Sequence, residues 1–174
     1  KRQHENVVPI KDTDVSEDAT DATTDNLRTL SQIKVVDPNF DEALFLEGAK
    51  TAFELILGAF AKADSSQLET LLDAATYKSF YEEIERRDHT GEMLETTLVS
   101  IILADITDAE LSGSAALITV KFISEQVNVT RNKSDEVVAG DPLRVETIKD
   151  LWVFARELRS ADPNWKLIET RPGD

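Results

Sequence analysis

The feature that most constrains this chain is a change of period at Gly91. Before it, apolar residues recur at helical spacing; after it they alternate as in strands. In "DPNFDEALFLEGAKTAFELILGAFAKAD", Ala49, Phe53, Ile56, Leu57 and Phe60 make one stripe, and Phe45, Leu46 and Leu55 widen it. A helix this apolar is mostly buried and lies across a sheet. Asn39 with Glu42 three residues on reads as its capping box. "SSQLETLLD" predicts a second, short helix with Ser66 and Glu69 as its box. "ATYKSFYEEIERRDHTG" predicts a third, with Tyr77, Phe80, Tyr81 and Ile84 as its stripe and Gly91 as its stop. Four strands follow. "LETTLVSIILADI" is β-branched, and "AALITVKFISEQVNVT" alternates with Ala116, Ile118, Val120 and Phe122 on one face. "LRVETIKDLWVFAREL" and "WKLIE" complete the set, with "TDAELSGS", "RNKSDEVVAGDP" and "SADPN" as turns. Three helices before four sequential strands predict an α+β domain, helices packed on a curved antiparallel sheet that forms a half-open cone.

Residues 1–36 read as an acidic tail or linker, because "DTDVSEDATDATTDN" is polar and aperiodic. "LRTLSQIKVV" allows one short helix within it. The domain proper is expected over 37–174. The chain begins at Lys1 rather than Met, so a membrane anchor upstream is expected; no apolar run within it approaches a membrane span.

Charge and residue types exclude several chemistries. A formal charge of −15 repels nucleic acid and anionic headgroups, so no nucleic-acid partner is expected. Without cysteine there is no disulfide, thiolate nucleophile or Cys-based zinc site. Of the two histidines, His4 falls in the tail and His89 at a helix end where a cation suits the dipole. No phosphate loop, dinucleotide fingerprint, zinc-helix motif or nucleophile elbow is present. No cofactor or metal is expected. The sequons at Asn128 and Asn132 are formal, since nothing marks the chain as secreted. "EEIERRDH" reads as a solvated charged face.

What remains is the strand "KDLWVFARE". Asp150, Trp152, Phe154 and Arg156 stand two apart and so share one face of the sheet. Asp150 with Tyr77 or Tyr81 supplies the parts of acid–base catalysis in an apolar cone. The simpler expectation is that Asp150 pairs with Arg156 or Lys121 and orders the sheet. Trp152, Phe154 and Trp165 serve as core, or as the lining of an apolar cup.

Four segments then resemble the carboxy-terminal domain of the Tim44-like family: "FDEALFLEGAKTAFELILGAFAKAD", "LETLLDAATYKSFYEEIERR", "SAALITVKFISEQ" and "DLWVFARELRSADPNWKLIET". Together they cover about residues 37–170 in order. The most specific pieces are Asp150-x-Trp152-x-Phe154-x-Arg156, Asn164-Trp165 and Phe45-x-x-Gly48-Ala49. That family includes the mitochondrial inner-membrane import tether and shorter alphaproteobacterial relatives, the TimA-type proteins, to which this chain is most similar. The resemblance implies a cystatin-like cone of the nuclear transport factor two type and no enzymatic activity. It implies an adaptor that supports protein translocation or membrane-protein assembly at the cytoplasmic face of a bacterial inner membrane, the mitochondrial matrix face being second choice. The implied partners are the membrane through the upstream anchor, a protein client or translocase subunit, and the seventy-kilodalton heat-shock chaperone. The expected hydrophobic pocket is lined by Phe53, Leu57, Phe60, Trp152 and Phe154, with Asp150 and Arg156 as a structural pair. Two rivals stand beside this reading. One is a lipid- or ribosome-binding module with a basic patch at Lys121, Arg131, Lys133 and Arg144. The other is a ketosteroid-isomerase-like enzyme on the same cone.

Overall fold

In a computed structural model describing residues 17–174, four helices precede five strands: α1 (Glu17–Val36), α2 (Glu42–Lys62), α3 (Ser65–Leu71), α4 (Ala74–Thr90), β1 (Met93–Ser112), β2 (Ala115–Arg131), β3 (Val137–Gly140), β4 (Glu146–Glu157) and β5 (Lys166–Pro172). The sheet is antiparallel in the order β1-β2-β4-β5, with β3 folded back on the end of β2. This is the expected α+β cone with one more helix and one more short strand.

The extra helix corrects the reading of residues 1–36 as a tail. Residues 17–36 are helical, with Leu30 and Ile33 buried in the core; residues 1–16 lie outside the described residues. The stretch is too polar to show an apolar stripe. Its helix is held by docking rather than by its own propensity. Asn26 bonds the edge of β1: its amide nitrogen donates to the Thr107 carbonyl at 3.0 Å, and its amide oxygen accepts from the Ala109 N–H at 3.3 Å.

The next three helices start at aspartates. Asp41, Asp64 and Asp73 accept from the N–H groups of Leu44, Gln67 and Thr76. The expected boxes at Asn39/Glu42 and Ser66/Glu69 are therefore displaced by two residues. A carboxylate cap gains from the helix dipole as well as from the hydrogen bond. Gly91 ends α4 in the left-handed region at φ 70°, as its position predicts.

β1 and β2 form one long ribbon, paired from Met93↔Arg131 to Ser112↔Ala115 and closed by a two-residue turn at Gly113 and Ser114. The expected turn "TDAELSGS" is thus mostly strand. Asp105, Asp108 and Glu110 hide the alternation on its solvent side. In the expected polar tip, β3 doubles back; at Gly140 (φ 79°) any Cβ would lie 2.0 Å from the Asn128 carbonyl oxygen.

The concave face carries the core. Even-numbered residues of β2 and β4 point inward, with Ile118 opposite Phe154, Val120 opposite Trp152 and Phe122 opposite Asp150. Phe53 of α2 stacks on Phe122 at 4.3 Å and touches Trp152 at 4.6 Å between ring centroids. Further along, the inner face turns polar. Thr96 donates to Asn128, Asn128 to Gln126 and Gln126 to Ser124, at 2.7, 3.0 and 2.9 Å. Ser124 and Gln126 are buried, so this chain of bonds satisfies groups that water does not reach. The sequon at Asn128 is spent in it.

α4 is tied to α2 by Arg87. The guanidinium is buried, donates to the carbonyls of Phe60 and Ala61, and lies 4.5 Å from the centroid of the Phe60 ring. It closes the C-terminus of α2, where a cation complements the dipole. The expectation of a solvated "EEIERRDH" face holds for Arg86, which bonds Glu83 and Glu92, and fails for Arg87.

Candidate binding groove

The expected pocket residues do not line one hollow. Phe53 and Trp152 are buried within the stacked core, and Leu57 and Phe60 are half-buried against it. Phe60 is occupied by Phe80 and by Arg87. Phe154, though buried, reaches the floor of a different cavity, on the other flank of α2.

That cavity is a groove of about 630 Å³ between the first half of α2, α3 and the β4–β5 connection. Its floor is aromatic. Phe45 packs edge-on to Trp165 at 4.9 Å and to Phe154 at 6.1 Å, and Phe40 closes the end at 6.0 Å from Phe45. Its wall is the stripe Leu44, Gly48, Ala52 and Leu55 of α2. Leu44 is 71% exposed and Leu55 40%. At Gly48 nothing lies within 4 Å of where a Cβ would be, so the groove is open there to close approach of a ligand.

The polar end of the groove is an ion pair. Arg156 Nη1 lies 2.7 Å from Asp37 Oδ2, with the side chains only 13% and 17% exposed. This corrects the expected Asp150–Arg156 pair. Six residues of strand separate those two by about 20 Å, whereas Asp37 at the end of α1 comes directly over Arg156. Asp37 also accepts from the Asn39 N–H, which sets the turn into α2.

Asp150 therefore stands alone. It is half-buried opposite Phe122 on the inner face. No side-chain partner binds its carboxylate among the described residues, and burial pushes its pKa up. The tyrosines proposed to work with it stack on each other at 5.8 Å. Tyr81 is exposed, and its hydroxyl is raised by the neighbouring Glu85 charge. A desolvated acid is present, but no tyrosine bonds it and it does not line the groove. Of the expected basic patch, Arg131 is paired with Glu95 and Asp135 and Lys121 donates to the carbonyl of Asp174, while Lys133 and Arg144 form no ion pair among the described residues. Among the described residues no helix is long and apolar enough to cross a membrane.

Leu44, Gly48, Ala52 and Leu55 went unrecognised as a wall, although the signal was there. They form a second apolar stripe at i, i+4, i+8 and i+11, beside the core stripe of Phe45, Ala49, Phe53 and Ile56. Asp37 carried no signal, because its partner lies 119 residues away.

Comparison with known proteins agrees with this architecture. The subunits named mitochondrial import inner membrane translocase subunit TIM44 of mouse and human are each 26% identical over 151 residues. The match covers 84% of this chain and 33% of each relative, so the chain spans about a third of their length. An uncharacterised protein of Rickettsia prowazekii is 25% identical over 130 residues, covering 74% of this chain and 51% of that one. Among solved structures, the intermembrane space region of chloroplast protein ARC6 shares the fold, with a TM-score of 0.55 at 16% identity over 78% of this chain and 98% of that one. The model of the Tim44-like domain matches residues 27–172, so it takes in the second half of α1 along with the whole sheet, and the chain belongs to the Tim44-like domain family.

Proposed function

We propose that this domain is a non-enzymatic adaptor that supports protein translocation or membrane-protein assembly, and that it works by holding an apolar segment of a protein partner in the α2 groove. The observation that carries this reading is the groove itself: an aromatic floor, two exposed leucines, an open glycine and one desolvated ion pair at the end. Such a lining fits the apolar face of a helix or an extended segment, with the ion pair fixing polarity at one end. The names of the relatives, subunits of an inner-membrane import translocase, support the same setting for this chain. The setting we propose is the cytoplasmic face of a bacterial inner membrane, with a client, a translocase subunit or the heat-shock chaperone as partner.

The test is site-specific photo-crosslinking from positions 44 and 55 of the full-length protein in native membranes, with Leu55→Asp as the control for the probe at 44 and Leu44→Asp as the control for the probe at 55. The expected result is one or a few protein adducts that each substitution abolishes, while thermal stability changes by no more than about 0.5 kcal/mol because both side chains are exposed. Adducts with lipid alone, or none at all, would overturn the reading.

A further inference from the structure

A second surface, independent of the groove, lies along β1. This strand is at the edge of the sheet, and among the described residues no other strand pairs with its outer side from Glu95 to Ala104. Proteins blunt such edges with lysine, proline or a covering element, because the unpaired backbone is a template for another strand. Here the covering element is α1, and it is local. Asn26 presents its amide to Thr107 and Ala109 as a neighbouring strand would. The rest of the edge carries neither lysine nor proline. Residues 96–104, "TTLVSIILA", are uncharged in a chain that is 30% charged.

The edge is also shaped. Register shifts between Leu98 and Ser100 and between Ile101 and Leu103 leave Val99 and Ile102 as bulge residues. Both are more than half exposed, at 51% and 56%. Bulges stop a flat edge from pairing indiscriminately and re-aim side chains. Here they aim apolar ones outward. Beyond this run the strand becomes acidic: Asp105, Asp108 and Glu110 form no ion pair among the described residues. The edge thus reads apolar first, then negative.

We infer that β1 accepts an extended segment of a protein partner as an added parallel strand, and that this segment is apolar along 96–104 and then basic toward Asp105. A second copy of this chain does not fit. Two antiparallel β1 edges centred on the uncharged run bring Glu95 of one toward Asp105 or Thr107 of the other, and every copy carries the same net charge of −15. A lysine- or arginine-bearing segment meets the unpaired carboxylates instead. Main-chain bonds would supply affinity, and the bulged Val99 and Ile102 with the acidic run would supply direction.

The test uses a nonapeptide, acetyl-Thr-Val-Thr-Ile-Thr-Val-Lys-Lys-Lys amide, with backbone NMR and amide exchange on the whole chain. The peptide should shift and protect β1 amides between 95 and 105. Replacing its Ile and the following Thr with Pro-Pro, at unchanged charge, should weaken binding at least about tenfold, because successive N–H groups point to opposite sides and one of two adjacent prolines must remove a ladder donor. Glu in place of its lysines should abolish binding. Ile102→Lys should also weaken binding about tenfold, with the fold intact by circular dichroism. Equal binding of the proline peptide would mean that charge alone attracts it. Shifts confined to α2, or no binding, would equally overturn the inference. Protection of β1 that rises with protein concentration without peptide would assign the edge to a second copy and overturn the proposed occupant. Leu44→Asp, which empties the groove of its proposed partner, should leave peptide binding unchanged; the two readings can therefore fail separately.

Discussion

Replacing Arg156 with Leu tests how much one ion pair holds α1 to the sheet. The pair is short, at 2.7 Å, and about five-sixths of each side chain is removed from solvent. Exposed pairs contribute ~0.2–1 kcal/mol, and removal of one partner from a fully buried pair costs ~3–5 kcal/mol. The burial here lies nearer the second case, and Asp37 keeps a hydrogen bond from the Asn39 N–H when its cation is gone. The loss expected for Arg156→Leu is therefore ~2–3 kcal/mol, interpolating between the two cases. For a domain of this size that is a fall in Tm of ~4–12 °C. Asp37→Asn keeps an oxygen for Asn39 and removes the orphaned charge. The double variant should then lose less than the sum of the singles, by ~1.5–2.5 kcal/mol of coupling. Urea melts of the four proteins give the cycle directly. Amide exchange supplies a structural readout: protection in α1 around Leu30 and Ile33 should fall in Arg156→Leu, while the β1–β2 ribbon stays protected. Additivity within ~0.5 kcal/mol would refute the argument, because it would mean that the two groups do not feel each other.

Three further outcomes follow from the same structure. Phe53→Ala should destabilise by ~3–5 kcal/mol in a thermal or urea melt, since the ring is wholly buried between Phe122 and Trp152. Arg87→Met should cost ~2–4 kcal/mol by losing two charged hydrogen bonds and a ring contact, and Arg87→Lys should restore little of it, because an ammonium lacks the fork that reaches both carbonyls. Asp150→Asn should raise Tm at neutral pH. Burial holds the folded-state pKa of Asp150 above its unfolded value, so its ionisation opposes folding at high pH and the penalty vanishes as pH falls through that pKa. The difference between the two proteins in a pH series of melts should shrink toward acid; a difference that is flat or that widens there would contradict the assignment.

The sheet was legible because its signal is local. Alternation in Ala116–Phe122 and the Asp150–Arg156 run each fix a face within a few residues. The three apolar helices were legible for the same reason. What escaped was long-range or sparse. α1 docks along a line that includes Asn26, Leu30 and Ile33 and runs on to Asp37, helical spacing of which only Leu30 and Ile33 are apolar, so hydropathy does not reveal it. Arg87 looks like its neighbour Arg86 in sequence, and only the approach of α2 buries one and leaves the other in water. The groove escaped because α2 has two apolar flanks, and periodicity cannot say which is sealed by Phe122 and Trp152 and which stays open over Trp165. The Asp150–Arg156 expectation failed on length: sharing a face is not sharing a place on it.

The β1–β2 ribbon has a mechanical consequence. It is one antiparallel ladder running the length of the sheet, from Met93↔Arg131 to Ser112↔Ala115. Its free edge is presented along one side, and the groove lies near its closed end, where Ala116 pairs with Arg156. A pull along the strand axis loads the rungs of that ladder together, in shear, rather than one after another. Tension between the two surfaces would be borne by that ladder. α1, whose buried core residues among those described are Leu30 and Ile33, is the part that would yield first, and its release would extend the open edge through Thr107 and Ala109.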